Sequence, residues 1–236
     1  MNARAMIERF DVSVIGAQLD AEGYAVLPNC FDPHEARALA QWLDEPLDAL
    51  RIAHSPVLAE PGGGELRYFS EGLPPLLRAW REALYRWLVP IANRWHARSG
   101  VEQRFPAELD AFLEANRRAG QHRPQSHLSR LRAGERLALH RHDEGEQVFP
   151  FQVIALLGAP RRDFSGGEFV MVEQRPRMQS RPMVVPLALG DAAIIATAQR
   201  PVEGTHGYYR VKLKHAISRV RGGERTGLEL LFHDAP

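Results

Sequence analysis

The sequence predicts a mainly β protein with an α-helical N-terminal part, and two observations carry this prediction. Beyond residue 125, short segments rich in Val, Ile, Leu and Phe alternate with Gly, Pro and Asp, which is typical of a sandwich or barrel. Upstream, apolar positions recur at intervals of three and four, as in amphipathic helices. No linker or repeat separates the two parts. We therefore predict one domain over residues 1–236, with a helical buttress at 1–124 and an antiparallel double-sheet barrel at 125–236.

The first elements are a short strand and a well-capped helix. Tyr24–Leu27 is predicted as the strand. The helix that follows has Asp32 as its N-cap, Pro33 at its first position and Glu35 placed to complete a capping box. These residue types satisfy the free N–H groups of a first helical turn, so the helix should begin at Pro33.

Two further helices and a series of strands follow. A long amphipathic helix is predicted from Pro74 to about Arg98, bent or broken at Pro90, and its tryptophans are expected to pack onto a sheet. A third helix, in PAELDAFLEANRRAG, should end at Gly120. The predicted strands are 127–132, 135–142, 147–157, 167–173, 183–187, 192–198, 208–217 and 227–233.

Composition and charge narrow the functional classes. The chain is 44% hydrophobic and 25% charged with a net charge of +1, an ordinary globular balance without the concentrated basic character of a dedicated nucleic-acid binder. No apolar run reaches the roughly 18 residues that a membrane span needs, and the N-terminus lacks the apolar middle of a signal peptide. We therefore expect a cytoplasmic protein without membrane contact. The single cysteine, Cys30, is expected to be buried and leaves no pairing for an internal disulfide.

Three histidines form a candidate metal site. His140 and His142, in the segment ERLALHRHDEGEQVFP, are two residues apart, so on one strand both would point to the same face. His215 lies in YRVKLKHAISRVR, where alternation places it on one face with Val211 and Leu213. If both strands face the barrel interior, three imidazoles meet there. Three ligands on one face leave coordination positions open at an octahedral metal ion.

Arg225 follows His215 by ten residues, beyond a predicted hairpin turn at RGGE. A close histidine pair, a distant histidine and an arginine at this spacing resemble the 2-oxoglutarate- and Fe(II)-dependent oxygenases. The segments SGGEF and LGDAAII resemble the prolyl-hydroxylase-like branch of that superfamily. More closely, GEQVFPFQVIALL, FSGGEFVMVEQRPRMQSRPMVVPL, GDAAIIATAQRPVEGT, YRVKLKHAISRVR and LFHDA resemble a bacterial group described as oxygenases proposed to act on damaged nucleic acid.

This resemblance implies a fold, a cofactor and a reaction. The fold would be a double-stranded β-helix, a cupin-like jelly roll, with Fe(II) bound by His140, His142 and His215. Arg225 would pair with the distal carboxylate of 2-oxoglutarate, a role that suits its planar fork. O₂ and 2-oxoglutarate would be consumed, and an unidentified substrate would be hydroxylated or oxidatively demethylated. Only the resemblance suggests nucleic acid as that substrate.

One departure concerns the second metal ligand. The group's first ligand pair is His-x-Asp, and His142 stands where the aspartate is expected. Two assignments remain open: the three-histidine site, or a slipped strand in which His142, Glu144 and His215 are the ligands. The second keeps a carboxylate but needs a bulge before Gly145. Without a carboxylate the ferrous site would carry a charge of +2 instead of +1 and would also accept zinc or copper.

Two other functions fit the same histidines. A three-histidine oxygenase that does not need 2-oxoglutarate, as thiol dioxygenases do not, would have no use for the fork of Arg225. A metal- or ligand-binding protein on an oxygenase scaffold would have lost turnover together with the carboxylate. We keep both as alternatives to a 2-oxoglutarate-dependent dioxygenase.

Several charged residues are candidates for supporting roles. Glu168, after two glycines, either holds a loop together or faces the cavity. Arg175, Arg177 and Arg181 form either a charged connecting loop or a rim that guides an anionic substrate.

Acidic residues directly after the histidine pair are candidate acceptors that orient an imidazole N–H group. They are Asp143, Glu144 and Glu146. Two further histidines, His206 and His233, are expected not to bind the metal.

Overall fold

The structure is a computed structural model that describes residues 6–44, 50–54, 63–69, 72–175 and 177–236. These residues form four helices and thirteen strands. The helices are α1 (Val12–Glu22), α2 (Pro33–Gln41), α3 (Pro75–Arg98) and α4 (Leu109–Arg118). The strands are β1 (Tyr24–Leu27), β2 (Leu50–His54), β3 (Glu65–Phe69), β4 (His127–Arg132), β5 (Leu137–His140), β6 (Phe151–Leu156), β7 (Phe164–Gly166), β8 (Phe169–Gln174), β9 (Arg181–Val185), β10 (Ala192–Ala196), β11 (Gln199–Gly204), β12 (Gly207–Ile217) and β13 (Val220–Leu231).

The strands form two antiparallel sheets. The larger sheet has the order β1-β10-β6-β13-β4-β3-β2, with β7 also paired to β13. The smaller sheet has the order β11-β12-β8-β9, with β5 also paired to β12. The mainly β class and the jelly-roll architecture are confirmed. The described strands make two facing sheets and not a closed barrel.

Helix α3 packs against the larger sheet through an aromatic contact. Trp95 of α3 packs on Phe151 of β6, with ring centroids 4.5 Å apart. Trp80 of the same helix stacks on Phe31, also at 4.5 Å. The tryptophans therefore pack onto the sheet side of the core, as predicted. Of the two predicted outcomes, a bend or a break at Pro90, the break is wrong: the helix continues through the proline, with buried residues on both sides of it.

The capping signals at the start of α2 are confirmed. The Asp32 side chain accepts hydrogen bonds from the backbone N–H groups of His34 and Glu35, and Glu35 accepts from the N–H of Asp32. Cys30, just before this turn, is fully buried, and burial raises the pKa of its thiol to about 12. No helix within the described ranges is long and apolar enough to span a bilayer.

The N-terminal part contributes more than a helical buttress, because β1, β2 and β3 all belong to the larger sheet. Helix α1 was not predicted, since Val12 and Val14 are exposed and blur its apolar periodicity. Strand β11 was not predicted either. It contains Pro201 and ends at Gly204, and both residue types normally argue against a strand.

The predicted hairpin turn at RGGE is wrong. Gly222 and Gly223 lie inside β13, where it pairs with β7, and the chain turns earlier, at residues 218–219. A Cβ atom on Gly223 would collide with the carbonyl oxygen of Asp163, so the glycine is there for close strand approach. Strands β12 and β13 lie in different sheets. Arg225 is consequently inside the protein and not on a surface hairpin.

A buried ion pair joins the smaller sheet to helix α1. Glu173 of β8 and Arg200 of β11 are both buried, and the Arg200 Nε donates to Glu173 Oε2 at 2.7 Å. The Arg200 Nη1 also donates to the carbonyl oxygen of Asp20, near the end of α1, at 2.6 Å. This pair fixes the helix against the edge of the smaller sheet.

Replacing Glu173 with alanine should therefore lower the free energy of unfolding by about 3–5 kcal/mol, because it leaves the Arg200 guanidinium buried without its anion. Urea denaturation of the variant and the wild type measures the difference. Glu203→Ala, which removes an exposed carboxylate from the neighbouring strand β11, is the control and should cost less than about 1 kcal/mol. An equally small loss for Glu173→Ala would contradict the structural role of the pair.

Candidate metal centre

Four potential metal ligands meet between the two sheets. They are His140, His142, His215 and Glu229, whose ligand atoms all lie within 4.8 Å of one another. His140 ends β5 and is directly opposite His215 on β12 of the same sheet. Glu229 comes from β13 of the facing sheet. The structure thus brings the three predicted histidines together and adds a carboxylate that was not predicted.

The distances define a compact cluster. Ring centroids are 4.2 Å apart for His140 and His215, 4.9 Å for His140 and His142, and 5.4 Å for His142 and His215. The Glu229 Oε2 lies 3.5 Å from the His142 Nε2 and 4.0 Å from the His215 Nε2. One small cation could therefore contact donors from both sheets after minor side-chain adjustment.

Local contacts orient the two strand histidines. The Nδ1 of His140 lies 2.8 Å from the carbonyl oxygen of Ala138 and donates to it, which leaves the Nε2 lone pair free. The ring of His215 stacks on Phe169, with centroids 5.6 Å apart and an interplanar angle of 13°. The imidazole positions are therefore set before any metal binds.

His142 reaches the cluster in a different way from that predicted. Strand β5 ends at His140, so strand alternation does not place His142. Instead the His233 Nε2 donates to the carbonyl oxygen of His142 at 2.8 Å. Burial lowers the pKa of His233 to about 3, so it stays neutral and acts as a donor to this loop. His233 is thus a positioning residue outside the four-donor cluster.

A glutamine holds the rest of the loop that carries His142. The Gln121 side chain accepts from the N–H of Gln147 at 2.7 Å and donates to the carbonyl oxygen of the same residue at 3.2 Å. Both Gln121 and His233 are fully buried. The loop is therefore fixed by buried hydrogen bonds at two points.

The electrostatics of the cluster favour the protonation states that metals need. Burial lowers the pKa of His140, and it lowers the pKa of His215 well below the usual value. For Glu229 burial acts in the opposite direction, but the neighbouring histidines outweigh it and hold the pKa well below the usual range. These directions favour neutral imidazoles at His140 and His215 and an ionised carboxylate at Glu229, which are the metal-binding forms of these groups.

The donor set fits a divalent transition metal. Imidazole nitrogens and a carboxylate oxygen suit Fe(II), Mn(II) and Zn(II). The buried Nε2 of His142 has no well-aligned hydrogen-bond partner among the described residues, and a buried polar atom left this way costs free energy. A metal ion within the cluster would supply the missing partner.

Arg225 lies on the same face of β13 as Glu229, four residues away. Its side chain is buried, and its Nε donates to the carbonyl oxygen of Gly167 at 2.8 Å. Burial lowers the pKa of Arg225 to about 10, so it is still charged at neutral pH. It forms no ion pair with a carboxylate in the described part of the chain. A buried, charged guanidinium without an ion-pair partner is suited to binding an anionic ligand.

A narrow cavity of about 10 Å³, room for about one water molecule, lies beside the guanidinium, and its lining includes Ser129, Phe169, Arg225, Gly227 and Glu229. A Cβ atom at position 227 would lie 3.0 Å from the Arg225 Nη1 and 3.1 Å from the Ser129 Oγ. The glycine therefore keeps open the space between the cation and the cluster.

The acidic residues after His142 do not take the roles considered for them. Glu144 is exposed and pairs with Arg123 at 2.8 Å, so the alternative site of His142, Glu144 and His215 is not assembled. Asp143 pairs with Arg141 at 3.3 Å, and Glu146 is exposed. The loop turns at Gly145, which has φ +100°, and carries these side chains away from the imidazoles.

Other charged residues stabilise loops and strand ends. Glu168 accepts from the Ser218 hydroxyl, while the N–H of Glu168 donates to that oxygen at 3.0 Å, so Glu168 holds two loops together. Arg175 pairs with Glu173, and Arg181 pairs with Glu22, which favours structural roles for both arginines. Arg177 and His206 are exposed.

Sequence reasoning missed Glu229 and two polar residues beside it. The Gln152 Nε2 donates to Glu229 Oε2 at 3.0 Å, and the His127 Nε2 lies 3.9 Å from Glu229 Oε1. A signal was present, because Glu229 is the one acid in the apolar run TGLELLF and has the same strand phase as Arg225. An acid at a buried strand position is a candidate ligand, and Glu229 was not recognised as one.

Comparison with known proteins places these features in a family. The family model Oxygenase-NA, described as "Oxygenase, catalysing oxidative methylation of damaged DNA", matches residues 64–235. Two Mycobacterium tuberculosis proteins, Uncharacterized protein MT2286 (strain CDC 1551) and Uncharacterized protein Rv2227 (strain H37Rv), are each 39% identical over 163 residues. The match covers 69% of this chain and 70% of each relative.

Solved structures share the fold at low identity. An oxidoreductase of the 2OG-Fe(II) oxygenase family from Burkholderia pseudomallei has a TM-score of 0.57 at 19% identity, over 96% of this chain and 93% of that one. A Pseudomonas putida prolyl-4-hydroxylase has a TM-score of 0.56 at 13% identity, over 96% and 100%. A Trichoplax adhaerens prolyl hydroxylase in complex with a hypoxia inducible factor peptide fragment has 0.54 at 12%, over 99% and 90%.

The purified, metal-free protein should bind Fe(II) or Zn(II), because buried donors with free lone pairs are already gathered. His215→Ala should weaken binding by at least about 100-fold, since it removes a donor on a central strand. Anaerobic isothermal titration calorimetry measures both affinities. His206→Ala, which removes an exposed histidine, is the matched control and should bind like the wild type. Wild-type protein that takes up neither metal would contradict the assignment.

Proposed function

This chain belongs to the Oxygenase-NA family, and we propose that it is a 2-oxoglutarate- and Fe(II)-dependent dioxygenase in which His140, His142 and His215 bind the iron. One observation carries the proposal. Glu229 of the metal-ligand cluster and a buried arginine without an ion-pair partner among the described residues line the same small cavity. A small molecule that chelates a metal at one end and carries a carboxylate at the other would need a metal site and a cationic side chain close together.

The chain's own residues would bind and orient the co-substrate. The fork of Arg225 would pair with the distal carboxylate of 2-oxoglutarate, with the Ser129 hydroxyl close to the same end of the cavity. The hydrogen bond from the Arg225 Nε to Gly167 fixes the plane of the guanidinium. The apolar residues around the cavity exclude water and strengthen this pairing. Fe(II), when bound, supplies the activation of O₂.

We propose that O₂ and 2-oxoglutarate are converted to succinate and CO₂, with one oxygen atom transferred to a second substrate. The family description supports damaged DNA as that substrate, and the reaction would be hydroxylation or oxidative demethylation. The net charge of +1 neither requires nor forbids contact with DNA.

The second candidate is a metal-binding protein without turnover, and the histidine at position 142 favours it. Succinate formation separates the two functions. Metal-loaded protein should form succinate from 2-oxoglutarate only when O₂ is present, and an oligonucleotide that carries methylated bases should increase the rate. Anaerobic samples are the control. Fully metal-loaded protein that forms no succinate with any tested substrate would favour the metal-binding protein.

Replacing Arg225 with glutamine should raise the KM for 2-oxoglutarate by about 100-fold, equivalent to about 2.8 kcal/mol, because the buried charge-assisted pair is lost. Metal affinity should not change, since Arg225 is not part of the metal cluster. Arg221→Gln, which removes an exposed arginine from the same strand, is the matched control. An unchanged KM for Arg225→Gln would argue against 2-oxoglutarate as the ligand of this arginine.

A further inference from the structure

We propose that Glu229 is a ligand of the same metal and supplies the negative charge that the His-x-His pair lacks. This inference rests on the proposed metal site but assigns a new residue to it. The carboxylate of the site would then come from β13 of the larger sheet and not from the residue two positions after His140.

Position is the first argument. Glu229 belongs to the set of four donors within 4.8 Å, and its Oε2 lies between the imidazole nitrogens of His142 and His215, 3.5 and 4.0 Å away. Its side chain is 4% exposed, so it faces the cluster and not solvent. The Gln152 Nε2 donates to the same oxygen at 3.0 Å and fixes the carboxylate orientation.

Charge is the second argument. Burying an ionised carboxylate is costly unless a cation lies beside it. Every ion-pair partner that the described residues offer Glu229 is a histidine: His127, His142 or His215. A divalent cation within the cluster would therefore be the counter-charge of Glu229.

Coordination is the third argument. Three neutral imidazoles leave a ferrous centre at +2, whereas one added carboxylate brings it to +1, the charge of a two-histidine, one-carboxylate site. His140, His215 and Glu229 lie within strands and form the fixed part of the set, while His142 lies beyond the end of β5. With all four donors bound, two of the six octahedral positions would remain, and release of His142 would leave the three that bidentate 2-oxoglutarate and O₂ need.

The test removes the carboxylate from position 229 and then places one at position 142. Glu229→Gln keeps the shape of the side chain and its acceptor for Gln152, but it should lower Fe(II) and Co(II) affinity by at least about 100-fold. The double variant His142→Asp with Glu229→Gln returns a carboxylate to position 142 and should restore affinity to within about tenfold of the wild type. Anaerobic calorimetry measures affinity, and the visible spectrum of Co(II)-loaded protein should change in Glu229→Gln and shift back in the double variant.

Stability without metal separates a ligand from a structural residue. In the presence of a chelator, Glu229→Gln should unfold at the same temperature as the wild type or higher, because an amide costs less to bury than a carboxylate. Glu224→Gln removes a carboxylate from the same strand outside the cluster and should leave metal affinity unchanged.

The outcomes distinguish this inference from the proposed function. Wild-type protein that binds no metal would overturn both. Wild-type protein that binds metal, together with Glu229→Gln that binds equally well, would overturn only the role of Glu229. A Glu229→Gln variant that is less stable without metal, or a double variant that regains no affinity, would show that the fold around Glu229 matters and its charge does not.

Discussion

A carboxylate buried among imidazoles, between two apolar sheets, is the constraint on which the rest of the site depends. Desolvation opposes a charge at this position, and only neighbouring donors or a bound cation can offset it. Gln152 supplies Glu229 with a hydrogen-bond donor, and the three histidines around the carboxylate lie where they could help to hold a cation. The paired strands hold these groups in fixed positions. The folding free energy of the whole domain therefore offsets the unfavourable free energy of bringing them together.

The crossing from β12 to β13 explains why one chain segment can build both walls of the site. Because these consecutive strands lie in different sheets, His215 projects from one wall, and Arg225 and Glu229 project from the other. The nine residues between His215 and Arg225 therefore lead the chain from the smaller sheet to the larger one. Gly227 then adds no side chain between the guanidinium and the carboxylate.

Much of this arrangement could be predicted from local patterns. The capping box of α2, the strand at Tyr24–Leu27 and the convergence of the three histidines followed from periodicity, spacing and resemblance. The reading of RGGE as a turn was wrong because glycines serve close strand contacts as well as turns. Glu229 was missed because its role follows from contact with histidines of the smaller sheet. Local sequence patterns do not predict which distant strands face each other.

The donors of the cluster are far apart in chain order, so the contact between His233 and His142 can form only late in folding. His140 and His142 leave the ribosome long before the last strand, and at that stage nothing covers them. Only when β13 has entered the larger sheet can Glu229 reach the imidazoles and His233 secure the backbone of His142. The four-donor cluster is therefore complete only when β13 has paired with its neighbours in the larger sheet.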